Sequence, residues 1–176
     1  MSERDFHIKR RSASRLAAVQ ALYEIEMMDA PADPVLQAFL EHRWSNATPV
    51  DTDDDSGLYD DIDPKTVPGI EPRFLKRLVR GVTGTKDKID GALTPHLNAP
   101  WTIDTLQAVV RAILRTATYE LLECPEINTR TIISEYVGMA HAFFTEKEPT
   151  MVHAVLDAVA HSHRDDDTTT TTTGTA

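Results

Sequence analysis

Residues 106–121, with the sequence LQAVVRAILRTATYEL, decide the fold class of this chain. Apolar side chains recur there every three or four residues, at Leu106, Val109, Val110, Ile113, Leu114, Ala117 and Leu121. This spacing is the period of an amphipathic α-helix, whereas a half-buried strand alternates apolar and polar residues. The pair Cys124-Pro125 then ends the pattern, because proline does not continue a helix. The sequence therefore predicts a long helix in this stretch.

The same helical spacing recurs through most of the remaining chain. It predicts a first helix from about Arg11 to Met28, a short second helix from Val35 to Trp44, and further helical segments around 74–97, 132–144 and 152–159. Glycines inside the segment 74–97 are weak points where that helix bends or breaks. No strand-like alternation of useful length appears, so we predict an all-α bundle of six or seven helices joined by short turns.

The length of 176 residues suits one domain with a sizeable core. We predict a flexible N-terminal arm at residues 1–8, a single helical domain at 9–163, and a disordered tail rich in Asp and Thr at 164–176. A long acidic loop without apolar period interrupts the domain at 45–71, and residues 50–63 of it hold seven aspartates and no cation. A loop of this length is usually functional or disordered.

The cellular compartment follows from two features of the sequence. The chain contains one cysteine, Cys124, so it forms no intrachain disulfide. Its opening residues, MSERDFHIKRR, lack the apolar region of a signal peptide, and no stretch approaches the roughly 18 apolar residues that a membrane-spanning helix needs. We therefore predict a cytoplasmic protein without membrane association.

Motifs for catalysis are absent or incomplete in the sequence. The segment 81–86, GVTGTK, lacks the spacing and the ending of a phosphate-binding loop. No basic pair stands beside Cys124 in sequence to lower its thiol pKa, and Ser134 and His141 are two helical turns apart, without an oxyanion hole in prospect. Asp157 and His161 lie one turn apart, but a frayed helix end makes a poor metal cage. We predict a protein that is not an enzyme and holds no cofactor and no metal.

Two acidic residues, Glu120 and Glu135, stand inside strongly apolar stretches. Buried carboxyl groups require hydrogen-bond donors, so we expect partners at a neighbouring helix start or at Arg111 or Arg115. Their predicted role is structural.

The distribution of charge points to a binding partner. The formal net charge is -10, yet residues 1–15 hold five lysines and arginines against two acidic residues. Lys9, Arg10, Arg11 and Arg15 stand at the head of the first predicted helix, where the helix dipole disfavours cations, and Arg11 and Arg15 repel one another across one turn. These charges do not favour folding of the chain by itself, whereas binding of a polyanion from outside the protein would explain them.

The segment 6–11, FHIKRR, also interleaves flat rings with cations, which is typical of proteins that stack RNA bases while neutralising phosphates. A solubilising tail and attraction to the chain's own acidic loop are alternative interpretations of the same charges.

Four blocks of sequence resemble the NusB transcription antitermination family. They are RRSASR at 10–15 followed by AVQALY at 18–23, ILRTATYEL at 113–121, IISEYVGMA at 132–140 and VHAVLD at 152–157. The blocks occur in the family's order and together span residues 10–159. The resemblance implies a NusB-like fold of two packed helical subdomains and a role in RNA binding rather than catalysis.

The resemblance also implies partners. NusB proteins pair with NusE, a ribosomal protein of the small subunit, and the pair recognises single-stranded boxA RNA in ribosomal RNA leader transcripts. Together with other Nus factors it acts on the elongating RNA polymerase complex.

By position, the resemblance places Lys9, Arg10, Arg11 and Arg15 at the RNA backbone. It places Phe144, Lys147 and Met151 beside the RNA, and Gln107 and Arg111 at the NusE contact. Many family members read Phe-Val-Asn at the last helix, where this chain reads Met151-Val152-His153, so one stacking ring is missing.

Two alternatives remain open at the level of sequence. One is a stand-alone relative of the NusB-like RNA-binding domain of ribosomal RNA cytosine methyltransferases, which would act as an adaptor because the chain has no room for a methyl-donor domain. The other is a helical protein-binding scaffold, in which the arginines meet an acidic partner or the chain's own acidic loop.

Overall fold

Helices make up most of the part of the chain that the structure describes. The structure is a computed structural model, and it describes residues 3–43, 69–145 and 147–164. Within these ranges the α-helices are α1 Glu3–Met28, α2 Ala32–Ala38, α3 Pro72–Gly84, α4 Lys86–Leu93, α5 Ala108–Glu123, α6 Thr129–Phe143 and α7 Glu148–His163. A π-helical turn, Phe39–Arg43, extends α2, and a 3-10 turn, Thr94–His96, follows α4. No strand occurs in these ranges, so the prediction of an all-α fold with six or seven helices is confirmed.

None of the described helices combines the length and the apolar character that crossing a membrane requires. The aspartate-rich segment 50–63 of the predicted acidic loop lies outside the described residues, as does the tail after Arg164. The last residues of the predicted loop, 69–71, are described, and Ile70 is buried.

The chain divides into two compact units, Met1–Gly84 and Thr85–Ala176, which we call the N-terminal and the C-terminal unit. In the N-terminal unit α1 packs against α3, and α2 contacts both helices. Ala17, Ala18 and Ala21 of α1 are fully buried. Short side chains at a helix contact reduce the distance between the axes, so buried alanines of this kind allow close packing of α1 in the unit.

The first helix begins eight residues earlier than predicted. It starts at Glu3 rather than near Arg11, so residues 3–8 of the predicted flexible arm form its first turns. Neither proline nor glycine occurs before Met28 to stop the helix, and the Ser14 hydroxyl bonds back to the carbonyl of Arg10 at 2.8 Å without breaking it.

The end of α1 and the start of α2 follow from local backbone chemistry. Asp29 has a positive φ of 47°, and Ala30 donates its N–H to the carbonyl of Ile25 at 3.0 Å, which is the left-handed ending common to helices. The second helix begins at Ala32 rather than Val35, because Pro34 falls in its first turn, where proline is tolerated.

The C-terminal unit is built around α5. Every residue from 112 to 121 is buried, and α5 contacts α4, α6 and α7. A helix that is buried on all sides serves as a core element, so the stretch with the clearest helical period forms the centre of this unit. The next helix, α6, begins at the cap residue Asn128, whose side-chain oxygen accepts the N–H groups of Arg130 and Thr131 at 2.9 and 3.3 Å.

The two buried charged residues of α5, Arg115 and Glu120, form hydrogen bonds with neighbouring helices. Arg115 donates two parallel hydrogen bonds, both 2.8 Å long, to the carboxylate of Asp90 in α4. The carboxyl group of Glu120, which is 0% exposed, accepts a hydrogen bond from the Tyr136 hydroxyl at 2.8 Å. The structural role predicted for Glu120 therefore has a physical basis, although its donor is a tyrosine of α6. Glu135 is only half-buried.

Arg164 closes the end of α5 and belongs to the ordered unit, although the sequence places it in the tail. Its guanidinium donates to the carbonyls of Leu121, Cys124 and Ile127 at 2.8, 2.7 and 2.7 Å. It also donates to the Thr129 hydroxyl at 2.8 Å and to the Glu120 carbonyl at 3.4 Å. The last carbonyls of a helix lack hydrogen-bond donors within the helix. Here the guanidinium of one side chain donates to several carbonyls at and just beyond the end of α5.

Candidate nucleic-acid interface

The four cations predicted to contact RNA lie within α1, away from both of its ends. Lys9 is exposed, Arg10 and Arg11 are partly exposed, and Arg15 is 2% exposed. The helix starts at Glu3, so these residues are beyond its first turn, where the dipole effect falls off. The predicted penalty from the helix dipole is therefore wrong, because the helix is longer than expected.

Two of these arginines fasten α1 to the chain that enters α3. Arg10 donates from Nη2 to the carbonyl of Ile70 at 2.8 Å, and Arg11 Nε lies 3.2 Å from the Oε2 atom of Glu71. The backbone N–H of Glu71 donates to the Ser14 hydroxyl at 2.7 Å. This region of α1 thus fixes the start of the N-terminal unit's third helix.

Contact with the Phe74 ring offsets the repulsion between Arg11 and Arg15. The Cζ atoms of these arginines lie 5.1 and 5.3 Å from the centroid of the Phe74 ring. A cation near an aromatic face is stabilised by about 0.5–1 kcal/mol at exposed sites and by more when desolvated. The inference that these arginines do not favour folding is therefore wrong, since both of them contact the Phe74 ring of α3.

Exposure separates the four cations into two kinds. The Arg11 side chain remains 41% exposed while it contacts Glu71 and Phe74, and Lys9 is also exposed. Arg15 is buried, so its guanidinium holds the packing of α1 on α3 rather than presenting a charge to solvent. The apolar period of the sequence includes Phe74, but it does not predict that Phe74 and Glu71 contact these arginines, because Glu71 is 60 residues from Arg11 and no local pattern links them.

The second predicted RNA set belongs to the C-terminal unit. Phe144 follows the last residue of α6, and its ring centroid lies 6.5 Å from that of Phe143, which is 48% exposed. Lys147 is exposed and directly precedes α7, whereas Met151, one turn later, is 7% exposed. Lys147 and Met151 line a groove of about 540 Å³ together with His96 and Trp101, which the sequence analysis did not single out.

The predicted NusE-contact residues lie at the start of α5. Gln107 directly precedes the helix and is exposed. Arg111 is half-buried, and its guanidinium donates to the carbonyls of Ile103 and Leu106 at 2.8 and 2.9 Å. Arg111 therefore orders the loop before α5, and Gln107 carries the more accessible side chain of the two.

Cys124, Asp157 and His161 are among the residues that the sequence offers for catalysis or metal binding, and their contacts are those of structural residues. Cys124 is 0% exposed at the end of α5. The Nδ1 atom of His161 lies 3.7 Å from the Asp157 carboxylate and 2.8 Å from the Asp157 carbonyl. Across residues 3–43, 69–145 and 147–164, no group of three His, Cys, Asp or Glu side chains is arranged to hold a metal ion.

Comparison with known proteins agrees with the resemblance seen in the sequence. The transcription antitermination protein NusB of Rhodospirillum rubrum is 40% identical over 161 residues, which are 89% of this chain and 86% of that protein. A solved T. maritima NusB superposes with a TM-score of 0.66 at 25% identity, covering 87% of this chain and 92% of the other. A chain from a crystal structure of NusB and NusE with dsRNA matches in fold, with a TM-score of 0.65 at 19% identity, covering 92% and 99% of the two chains.

A model of the NusB family matches residues 12–161. That range begins within α1, directly after Arg11, and ends in the last turn of α7, so it includes α2 to α6 and most of α1 and α7. The chain belongs to the NusB family.

Proposed function

We propose that this chain is an RNA-binding transcription antitermination factor, which binds single-stranded boxA RNA of ribosomal RNA leader transcripts together with NusE. The observation that carries the proposal is family membership over residues 12–161, at 40% identity to a transcription antitermination protein. The chain acts as a binding protein and not as an enzyme. The elongating RNA polymerase complex with its other Nus factors is its proposed place of action, which puts it in the cytoplasm.

The exposed cations of α1 are the proposed phosphate contacts. Lys9, Arg10 and Arg11 are exposed or partly exposed in a chain whose acidic residues outnumber its basic ones by 28 to 18. Binding responds to the local field, so a group of neighbouring cations on an acidic protein still attracts RNA. Arg15 is buried, and we assign it the role of a positioning residue that holds α1 against α3 through Phe74.

The contacts of the arginines also support preorganisation. Arg11 is held by Glu71 and Phe74 before any RNA arrives, so fewer rotamers are lost on binding. Phosphate contacts fix the position of an RNA but carry no sequence information. Sequence preference must therefore come from base contacts elsewhere, and the surface near Phe144, Lys147 and Met151 is the proposed place for them.

The outer face of α5 near its start is the proposed NusE contact. Gln107 is exposed there, and Arg111 holds the preceding loop in place through the carbonyls of Ile103 and Leu106. A preformed protein surface loses little entropy on binding, which favours a rigid-body contact at this position.

A gel-shift titration tests the proposal. Labelled boxA RNA and a scrambled RNA of equal length and composition are titrated with the protein, with and without NusE. We expect a boxA complex that NusE strengthens and that the scrambled RNA does not match. The absence of a complex in both conditions would refute RNA binding and favour the protein scaffold. In a separate pull-down, capture of an rRNA methyltransferase in place of NusE would favour the adaptor.

A further inference from the structure

A groove along α7 has the composition of a base-binding subsite. We call it the α7 groove; its volume is about 540 Å³, within the range of small-ligand sites. One side is a single face of α7, where the buried residues Met151 and Val155 are spaced by one helical turn. The other side comes from the 3-10 turn and the loop that follows it, with His96 and Trp101.

The loop that carries Trp101 is fixed by its own hydrogen bonds. The N–H of Trp101 donates to the Asn98 carbonyl at 3.0 Å. The Thr105 hydroxyl accepts the N–H of Thr102 at 2.8 Å and lies 3.2 Å from the Pro100 carbonyl. These bonds on both sides of Trp101 hold its backbone in place, so the half-buried indole is positioned before a ligand arrives.

The imidazole of His96 is also oriented from α7. Its Nε2 atom lies 3.3 Å from the Ser162 hydroxyl. The groove thus combines two flat rings whose positions are set by the fold with the exposed amide of Asn98 and the ammonium group of Lys147.

The charge of the groove favours an anionic ligand. None of the described residues that line it is acidic, although the chain has a formal net charge of -10. Lys147 adds a cation at the end of the groove where α7 begins. A flat ring beside a cation, in a space large enough for a base, is the combination by which proteins bind single-stranded RNA.

We propose that the α7 groove binds one nucleobase of single-stranded RNA, which stacks on Trp101 while Lys147 contacts the adjacent phosphate. The amide of Asn98 and the imidazole of His96 offer hydrogen bonds to the base edge. This inference rests on the proposed RNA-binding function and adds a base contact that the cations of α1 do not provide.

Tryptophan fluorescence and affinity test the proposal together. The chain has two tryptophans, so a Trp44→Phe background leaves Trp101 as its only tryptophan, and the fluorescence of NusE alone is subtracted. Titration of this protein, with NusE, by single-stranded boxA RNA is expected to quench its fluorescence, because a stacked base contacts the indole directly.

Substitutions of Trp101 separate stacking from apolar packing. Trp101→Leu keeps apolar bulk but removes the ring, and it should weaken RNA binding by about five- to 150-fold, the range seen when a base-stacking ring is removed. Trp101→Phe should remain within about threefold of the wild type, since a ring is retained. Neither substitution should change the slope of affinity against salt, whereas Lys147→Gln should reduce it by about 0.7.

His161→Ala is the matched control, because it removes an exposed ring from a face of α7 that lines a different groove. Circular dichroism verifies that each variant is folded. If wild type binds RNA but Trp101→Leu binds it equally well without a fluorescence change, the subsite is refuted and the proposed function stands. If Trp101→Leu weakens NusE binding in the absence of RNA and leaves RNA affinity unchanged, the groove contacts protein and the subsite is also refuted. If wild type binds no RNA, both proposals fail.

Discussion

Replacement of Arg164 by glutamine is expected to destabilise the C-terminal unit strongly. The Arg164 guanidinium makes five hydrogen bonds, four of them between 2.7 and 2.8 Å, to acceptors at and beyond the end of α5. At about 1 kcal/mol net for each bond, their sum is an upper limit of about 5 kcal/mol. Water replaces part of them at this half-buried site, so we expect a loss of about 2–4 kcal/mol.

Urea unfolding followed by circular dichroism measures this loss. For a urea dependence of about 2 kcal/mol per molar, the midpoint should fall by about 1–2 M. Arg164→Lys should give an intermediate value, because an ammonium group keeps the charge but not the planar set of donors. Arg130→Gln, at an exposed position of α6, is the matched control. An Arg164→Gln midpoint equal to that of the control would refute the assignment of Arg164 to the fold.

Three further substitutions test buried contacts by the same unfolding measurement. Thr118→Val should raise stability by about 1 kcal/mol, because the buried Oγ1 of Thr118 has no hydrogen-bond partner in the described part of the chain; a loss instead would reveal a bond to that hydroxyl. Tyr136→Phe should lower stability by about 1–3 kcal/mol, since it removes a donor to buried Glu120, and an unchanged midpoint would contradict this. Ser14→Ala should cost about 1 kcal/mol by removing the acceptor for the Glu71 N–H, and an unaltered stability would count against that contact.

Helix type and order could be predicted from the sequence because apolar period is a local property. The stretch from Leu106 to Leu121 forms α5 from Ala108 to Glu123, and only its start differs. Apolar spacing alone extends the predicted helix to Leu106 and Gln107. In the structure Arg111 binds the carbonyls of Ile103 and Leu106, which keeps that segment in a loop.

The roles of the arginines could not be predicted, because their partners are distant in sequence. Arg10 meets Ile70 and Arg11 meets Glu71 across 60 residues, and neither partner carries a motif. The same holds for Arg164, which donates mostly to backbone carbonyls about 40 residues earlier. In the sequence, only the charge of the α1 arginines is unusual. The packing seen in the structure is needed to distinguish the exposed cations from buried Arg15.

The salt dependence of boxA RNA affinity tests the central claim, that the exposed cations of α1 neutralise RNA phosphates. Contacts from Lys9, Arg10, Arg11 and Lys147 predict a slope of log affinity against log salt of about -3, at about -0.7 for each phosphate on single-stranded RNA. Replacement of Lys9, Arg10 and Arg11 by glutamine, in protein verified as folded by circular dichroism, should reduce that slope to about -0.7. A triple variant that keeps the wild-type slope and affinity would contradict the account.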